Sequence, residues 1–213
     1  MKIDQVYKQR FADVELRKEL WETLVVDFFQ NYVSKGDVVL DLPCGYAEFI
    51  NTIKCKKKYA IDINPDSKKH VAKDVIFYRA NSMKTPLKDR TIDKVFISNF
   101  FEHLTHDQIV ATIEELHRVL KKGGRVMVLQ PNIRFAFHNY WMFFDHVTAI
   151  DDRALEEVFG LHGFTLEERI LKFLPFTANS RLPAKKIFVK AYLRCRPLWR
   201  VMGRQSFLVF EKR

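Results

Sequence analysis

The stretch Asp37-Val38-Val39-Leu40-Asp41-Leu42-Pro43-Cys44-Gly45-Tyr46-Ala47-Glu48-Phe49-Ile50 constrains this chain most. Val38 to Leu42 is an apolar run broken by one acid, β-branched at its start and closed by Pro43 and Gly45. That predicts a strand buried on both faces, as in a parallel sheet. Phe49, Ile50 and Ile53 then follow a helical spacing, so the unit is strand, tight turn, helix. At the carboxyl edge of a parallel sheet, such a turn is where nucleotides bind. Asp41 at the strand end can accept from an ammonium group. Gly45 has no Cβ, so a ligand can approach the backbone closely. The start of the next helix is expected to offer N–H groups to a ligand carboxylate. An amino-acid end carries both charges. The pattern G-x-G-x-x-G is absent, which makes a pyrophosphate the poorer ligand.

Asp41-Leu-Pro-Cys-Gly45-Tyr-Ala resembles the first motif, D-x-G-x-G-x-G, of class I (Rossmann-like) S-adenosylmethionine-dependent methyltransferases. Pro43 replaces its first glycine and Ala47 its third. Tyr59-Ala-Ile-Asp62-Ile-Asn-Pro65 is a short strand ending in an acid, with Asn-Pro as its breaker. Asp62 lies 21 residues after Asp41, where a carboxylate can accept from two ribose hydroxyls. It matches the ribose-binding acid of the family. A third strand, Val75 to Ala80, leads to Asn81-Ser82-Met83. There the family often has an acid for the adenine amino group, and the Asn81 amide oxygen can accept without charge. Met83 is either packing for the adenine or loop filler. The resemblance thus implies S-adenosylmethionine as cofactor, bound by Asp41, Pro43, Gly45, Asp62, Ile63, Asn81, Ser82 and Asn99.

Ile92 to Ser98 is a fourth strand. Asn99-Phe-Phe-Glu102-His103-Leu104 leads into a helix expected to run to about Leu120. The S-N-x-x-E-H-L pattern resembles small-molecule methyltransferases rather than the N-P-P-Y type that acts on amino groups of bases. Lys121-Lys-Gly-Gly124 is expected to stop that helix, before a fifth strand over Arg125 to Gln130. Of the 12 residues from Phe135 to His146, eight are Phe, Tyr, Trp or His. They predict a loop that is either a lid on an apolar acceptor or a buried subdomain. Asp151 caps a helix to about Leu161. Strands six and seven are expected near Glu167–Phe173 and Ser206–Glu211. Residues 3–33 read as a helical cover, with Trp21, Leu24, Val25, Phe28 and Phe29 as its apolar stripe. Tyr7 and Phe11 belong either to the core or to the cofactor site.

A chain of 213 residues with 47% apolar content suits one packed domain. The cysteines Cys44, Cys55 and Cys195 form no C-x-x-C pair, so no disulfide framework or metal site is expected and a reducing compartment fits. Met1-Lys-Ile-Asp-Gln has no apolar signal core, and a cytoplasmic location follows as an expectation. Of the formal charge of +10, residues 181–204 carry +8, without one acid. Lys186, Lys190 and Arg194 share a face by i, i+4 spacing, interleaved with Phe188, Tyr192, Leu198 and Trp199. This predicts peripheral binding to anionic lipid, less often nucleic acid, or else a basic cover on an apolar surface.

The resulting expectation is a three-layer α/β sandwich. Its seven-stranded sheet is mostly parallel, with strand seven antiparallel, as the resemblance implies. Residues 1–34 form the cover, 35–130 the cofactor half and 131–213 the acceptor half of a single domain. Phe49-Ile-Asn, Pro131-Asn-Ile-Arg-Phe and Phe143-Phe-Asp-His further resemble bacterial methyltransferases found with glycan-assembly enzymes. The expected reaction is methyl transfer to a small-molecule, glycan or lipid-linked acceptor, at oxygen. His146 is the first candidate general base and His103 the second, because imidazole titrates in the useful range. The alternatives are an RNA methyltransferase and a binding protein without turnover.

Overall fold

The computed structural model describes residues 14–176 and 186–213. Strands β1 (Val38–Asp41), β2 (Lys57–Asp62), β3 (Val75–Arg79), β4 (Ile92–Ser98), β5 (Leu120–Pro131), β6 (Phe164–Leu174) and β7 (Gln205–Lys212) form one sheet, in the order β3-β2-β1-β4-β5-β7-β6. The first five pair in parallel, and β7 runs antiparallel to both β5 and β6. The chain starts at the centre with β1, moves outward through β2 and β3, and crosses back to β4. That places the topological switch point between β1 and β4, directly beyond Asp41.

Strand alternation builds two cores, because successive side chains leave opposite faces of a strand. Val39, Phe96, Met127, Leu129 and Phe207 face one layer, with Leu24 and Phe29 near the amino end and Phe49. Leu40, Val95, Ile97, Val128 and Leu208 face the other. The first layer comprises α1 (Val14–Asp27), α2 (Glu48–Thr52), α6 (Lys186–Arg194) and α7 (Arg196–Met202). The second is α3 (His106–Val119) and α5 (Asp152–Leu161). Phe49 stacks on Phe96 at 4.0 Å between centroids, and the Trp21 edge meets Phe96 at 6.1 Å. Each buried ring of this kind contributes roughly 1.5–3 kcal/mol by removal from water.

Several boundaries differ from the sequence reading. The leading helix ends at Asp27 and passes into a 3₁₀ turn over Phe29–Tyr32. Tyr7 and Phe11 lie outside the described residues. The helix after β4 is divided into a 3₁₀ turn, Phe101–His103, and α3. The division arises because Thr105 makes a capping box with Gln108, which starts a new helix there. Lys121 to Gly124 lie within β5, which begins at Leu120. The aromatic stretch is largely helix, α4 (Ile133–Tyr140), capped by the Asn132 side chain. Its Tyr140 is fully buried and donates to the Thr148 carbonyl at 2.8 Å, so this part is core. Among the described residues no helix is long and apolar enough to cross a membrane.

Gly203 sets how α7 joins the sheet. A Cβ there would lie 2.4 Å from the Lys172 carbonyl carbon and 2.6 Å from the Trp199 oxygen. Backbone, not a flexible side chain, would have to yield. Gly203→Ala is therefore expected to lower stability by about 1–3 kcal/mol. A shift in the urea midpoint would show this, and an unchanged midpoint would mean that α7 and β6 adjust freely.

Candidate active site

The candidate site lies where β1, β2 and β4 end. Asp41 is 3% and Asp62 7% exposed, so both carboxylates are buried at the ends of neighbouring parallel strands. Between them the turn is left-handed at Gly45 (φ 51°) and at Ala47 (φ 60°). Glycine adopts this without strain and alanine at a cost, so Ala47 keeps a backbone shape that the family's third glycine would adopt freely. Asp62 Oδ2 accepts from the Gly45 N–H and Oδ1 from the Asn64 N–H, both at 2.8 Å. The Ser67 side chain and the Ile63 backbone also hydrogen-bond this carboxylate. The expected role of the N–H groups changes accordingly. Gly45 N–H belongs to Asp62, and α2 is only five residues long, so it offers no extended anion site.

Burial pushes the Asp41 carboxyl well above its ordinary range, and the neighbouring charges of Glu48 and Asp62 add to this. Burial also raises Asp62, against the opposing hydrogen bonds from Asn64 and Gly45. Glu48 itself is paired with Arg17 of α1, whose guanidinium also lies 5.0 Å from the Tyr46 ring centroid. The cover thus reaches the motif through Arg17. A buried acid with raised pKa favours a cationic ligand, and an amino-acid ammonium fits that demand.

A stability consequence follows. The native Asp41 carboxyl holds its proton above the unfolded value of 3.8, so the native state binds more protons in that window. Stability of the ligand-free protein should fall as pH rises upward from about 3.8 toward the native pKa. Asp41→Asn should remove that slope. It should raise the neutral-pH melting temperature by about 2–4 °C, equivalent to about 1 kcal/mol in a chain this size, while weakening cofactor binding. Scanning calorimetry across pH checks this, and a variant less stable than the parent at neutral pH would contradict it.

The remaining expected cofactor residues have mixed placements. Pro43 lies in the turn after β1, and Ile63, 56% exposed, lies just past Asp62. Asn81 is further committed than its sequence position suggested. Its amide oxygen accepts from Met83 N–H at 3.0 Å, closing a turn. Ser82 is buried, with its hydroxyl 2.9 Å from that of Thr112. Asn99 is left-handed (φ 48°), and its N–H donates to the Leu129 carbonyl at 2.9 Å, tying the end of β4 to β5.

Past the end of β4, the fold brings His103 and His146 together, with ring centroids 5.0 Å apart. His103 Nδ1 is 2.9 Å from the Asp145 carbonyl oxygen, which can only accept, so Nδ1 carries the proton. Nε2 then faces Glu102 Oε1 at 3.8 Å. Glu102 is fully buried, accepts from Gln130 Nε2 at 2.6 Å, and is raised by burial, against the opposing His103. His146 is 9% exposed and packs among His103, Tyr140, Phe143 and Phe176. Sequence reasoning found no metal set, yet Glu102, His103 and His146 place one ligand atom each within 4.8 Å of one another. Such a donor set could hold a divalent cation. The signal was invisible in sequence because His146 is 43 residues from His103. Gln130 and Asp145, which orient this group, were also missed as site residues.

The sheet order and its two helix layers are those of the class I methyltransferase α/β fold, and residues 40–128 match the family model described as a methyltransferase domain. The cofactor of that class is S-adenosylmethionine. The chain is 28% identical over 160 residues to an uncharacterized protein of Methanocaldococcus jannaschii, a match covering 73% of this chain and 65% of the relative. It is 26% identical over 157 residues to a demethylmenaquinone methyltransferase of Alkalihalophilus pseudofirmus, covering 66% of this chain and 65% of that protein. The chain therefore spans slightly under two thirds of these relatives' length. In three dimensions it resembles the crystal structure of a SAM-dependent methyltransferase from Archaeoglobus fulgidus, with TM-score 0.69, 18% identity and 98% of each chain covered.

Proposed function

We propose that this protein transfers a methyl group from S-adenosylmethionine to an oxygen of a small-molecule, glycan or lipid-linked acceptor. The observation that carries the reading is the pair of buried carboxylates, Asp41 and Asp62, on either side of the Gly45 turn at the switch point. When bound, the cofactor supplies an electrophilic methyl on a sulfonium. Asp41 binds its ammonium end and Asp62 its ribose hydroxyls, while Asn81, Ser82 and Asn99 shape the adenine side and the strand ends. Pro43 and Ile63 border the ligand through their apolar surfaces.

On the acceptor side, His103 Nε2 takes the hydroxyl proton as the oxygen acquires the methyl group, and Glu102 stabilises the resulting imidazolium. This reverses the order expected from sequence. His103 is the more accessible ring, and the Asp145 carbonyl fixes its tautomer, whereas His146 is buried and positions it. Orientation and water exclusion add to the rate, since well-oriented reaction can lower a barrier by roughly 7–11 kcal/mol. The demethylmenaquinone methyltransferase relative favours a small organic acceptor over RNA. Three free cysteines support a reducing, cytoplasmic setting. The test is release of S-adenosylhomocysteine from S-adenosylmethionine on adding separated lipid, glycan and RNA fractions. Release with lipid or glycan supports the proposal, and release with RNA alone overturns it.

A further inference from the structure

We infer that the outer face of α6 and α7 docks on an anionic lipid bilayer and holds the exposed aromatic residues Phe137, Trp141 and Phe144 at that surface. Tyr192 and Trp199, which the sequence pattern offers to a partner, are buried in the core, where Trp199 Nε1 donates to the Tyr192 carbonyl at 2.8 Å. They anchor the helices instead. What remains outside is different and more specific. Ile187 is 72% and Val201 70% exposed, with Phe188 and Leu198 partly so. Lys186, Arg194, Arg196 and Arg200 are exposed between them, and none forms an ion pair with a described residue. Lys190, by contrast, pairs with Asp27 at 3.5 Å.

This face continues to the acceptor side. Lys172 Nζ donates to the Arg200 carbonyl at 3.2 Å and lies 4.8 Å from the centroid of Phe135 in α4. The Asn132 N–H, at the start of α4, donates to the Arg204 carbonyl at 3.0 Å. Beyond them, Phe137 and Trp141 are more than half exposed and Phe144 is 92% exposed. Lys186 shares a pocket lining with Glu22 and Asp27, but Arg194, Arg196 and Arg200 have no described ion pair and demand an anionic partner, and branched aliphatic side chains between them gain nothing from stacking on bases. A bilayer with anionic headgroups satisfies both. A second copy would bring like charges face to face.

Co-sedimentation with vesicles tests this, using phosphatidylcholine alone and phosphatidylcholine mixed with phosphatidylglycerol. Each engaged cation strengthens binding about fivefold, so the anionic vesicles should bind more than roughly tenfold better at low salt. Salt should weaken binding without abolishing it, because aliphatic insertion is unscreened. K186E/R194E/R200E should remove the preference for anionic vesicles, and I187S/V201S should remove the salt-resistant remainder. Equal binding to both vesicle types, no binding, or displacement by polyuridylate would each overturn the inference. Affinity for S-adenosylhomocysteine, measured on the same variants, reports folding separately. Loss of that affinity in the parent chain would count against the proposed activity and not against docking.

Discussion

Asp62→Ala should weaken binding of S-adenosylhomocysteine by roughly 10²- to 10⁴-fold. A hydrogen bond to a charged group contributes about 1.5–3 kcal/mol, two ribose hydroxyls are at stake, and each 1.4 kcal/mol is tenfold in affinity. Part of the loss is indirect, because Asp62 also receives the Gly45 and Asn64 N–H groups and so shapes the turn. Equilibrium dialysis reads the affinity, and a thermal melt separates lost contacts from lost structure. A variant that binds as tightly as the parent would remove Asp62 from the ribose site.

His103→Ala should reduce turnover by about 10²- to 10⁴-fold while leaving cofactor affinity within a few fold, the range expected for loss of a general base. His146→Ala should cost less, since its ring supports His103 and does not take the proton. The Glu102→Gln variant should weaken the same step, because the buried carboxylate would no longer stabilise the imidazolium. Equal losses for both histidines would assign the pair to structure or to a bound cation.

The central strand, the turn and the second acid were legible because local rules fix them. An apolar β-branched run, Gly45 and the Asp41–Asp62 interval each act through the backbone or through short spacing. The fine structure of the turn was not legible. That Gly45 N–H would serve Asp62 rather than a ligand depends on β2 lying beside β1. The histidine pair was named residue by residue in sequence, but its contact, its Glu102 neighbour and the Asp145 carbonyl arise only from folding of the segment after α4. Likewise Tyr192 and Trp199 follow the same helical pattern as Phe188 and Leu198, and periodicity alone could not decide which side met the sheet. Burial against Phe28 and Phe173 decided it.

The central claim is that the Asp41–Gly45–Asp62 turn is an S-adenosylmethionine site. Isothermal calorimetry with S-adenosylhomocysteine, and with NAD as a dinucleotide control, tests it most directly on the full chain. The account predicts one molecule of S-adenosylhomocysteine bound per chain, abolished in the D41N/D62A variant, and no heat with NAD. Absence of S-adenosylhomocysteine binding by the parent chain, or binding unchanged in the double variant, would contradict it.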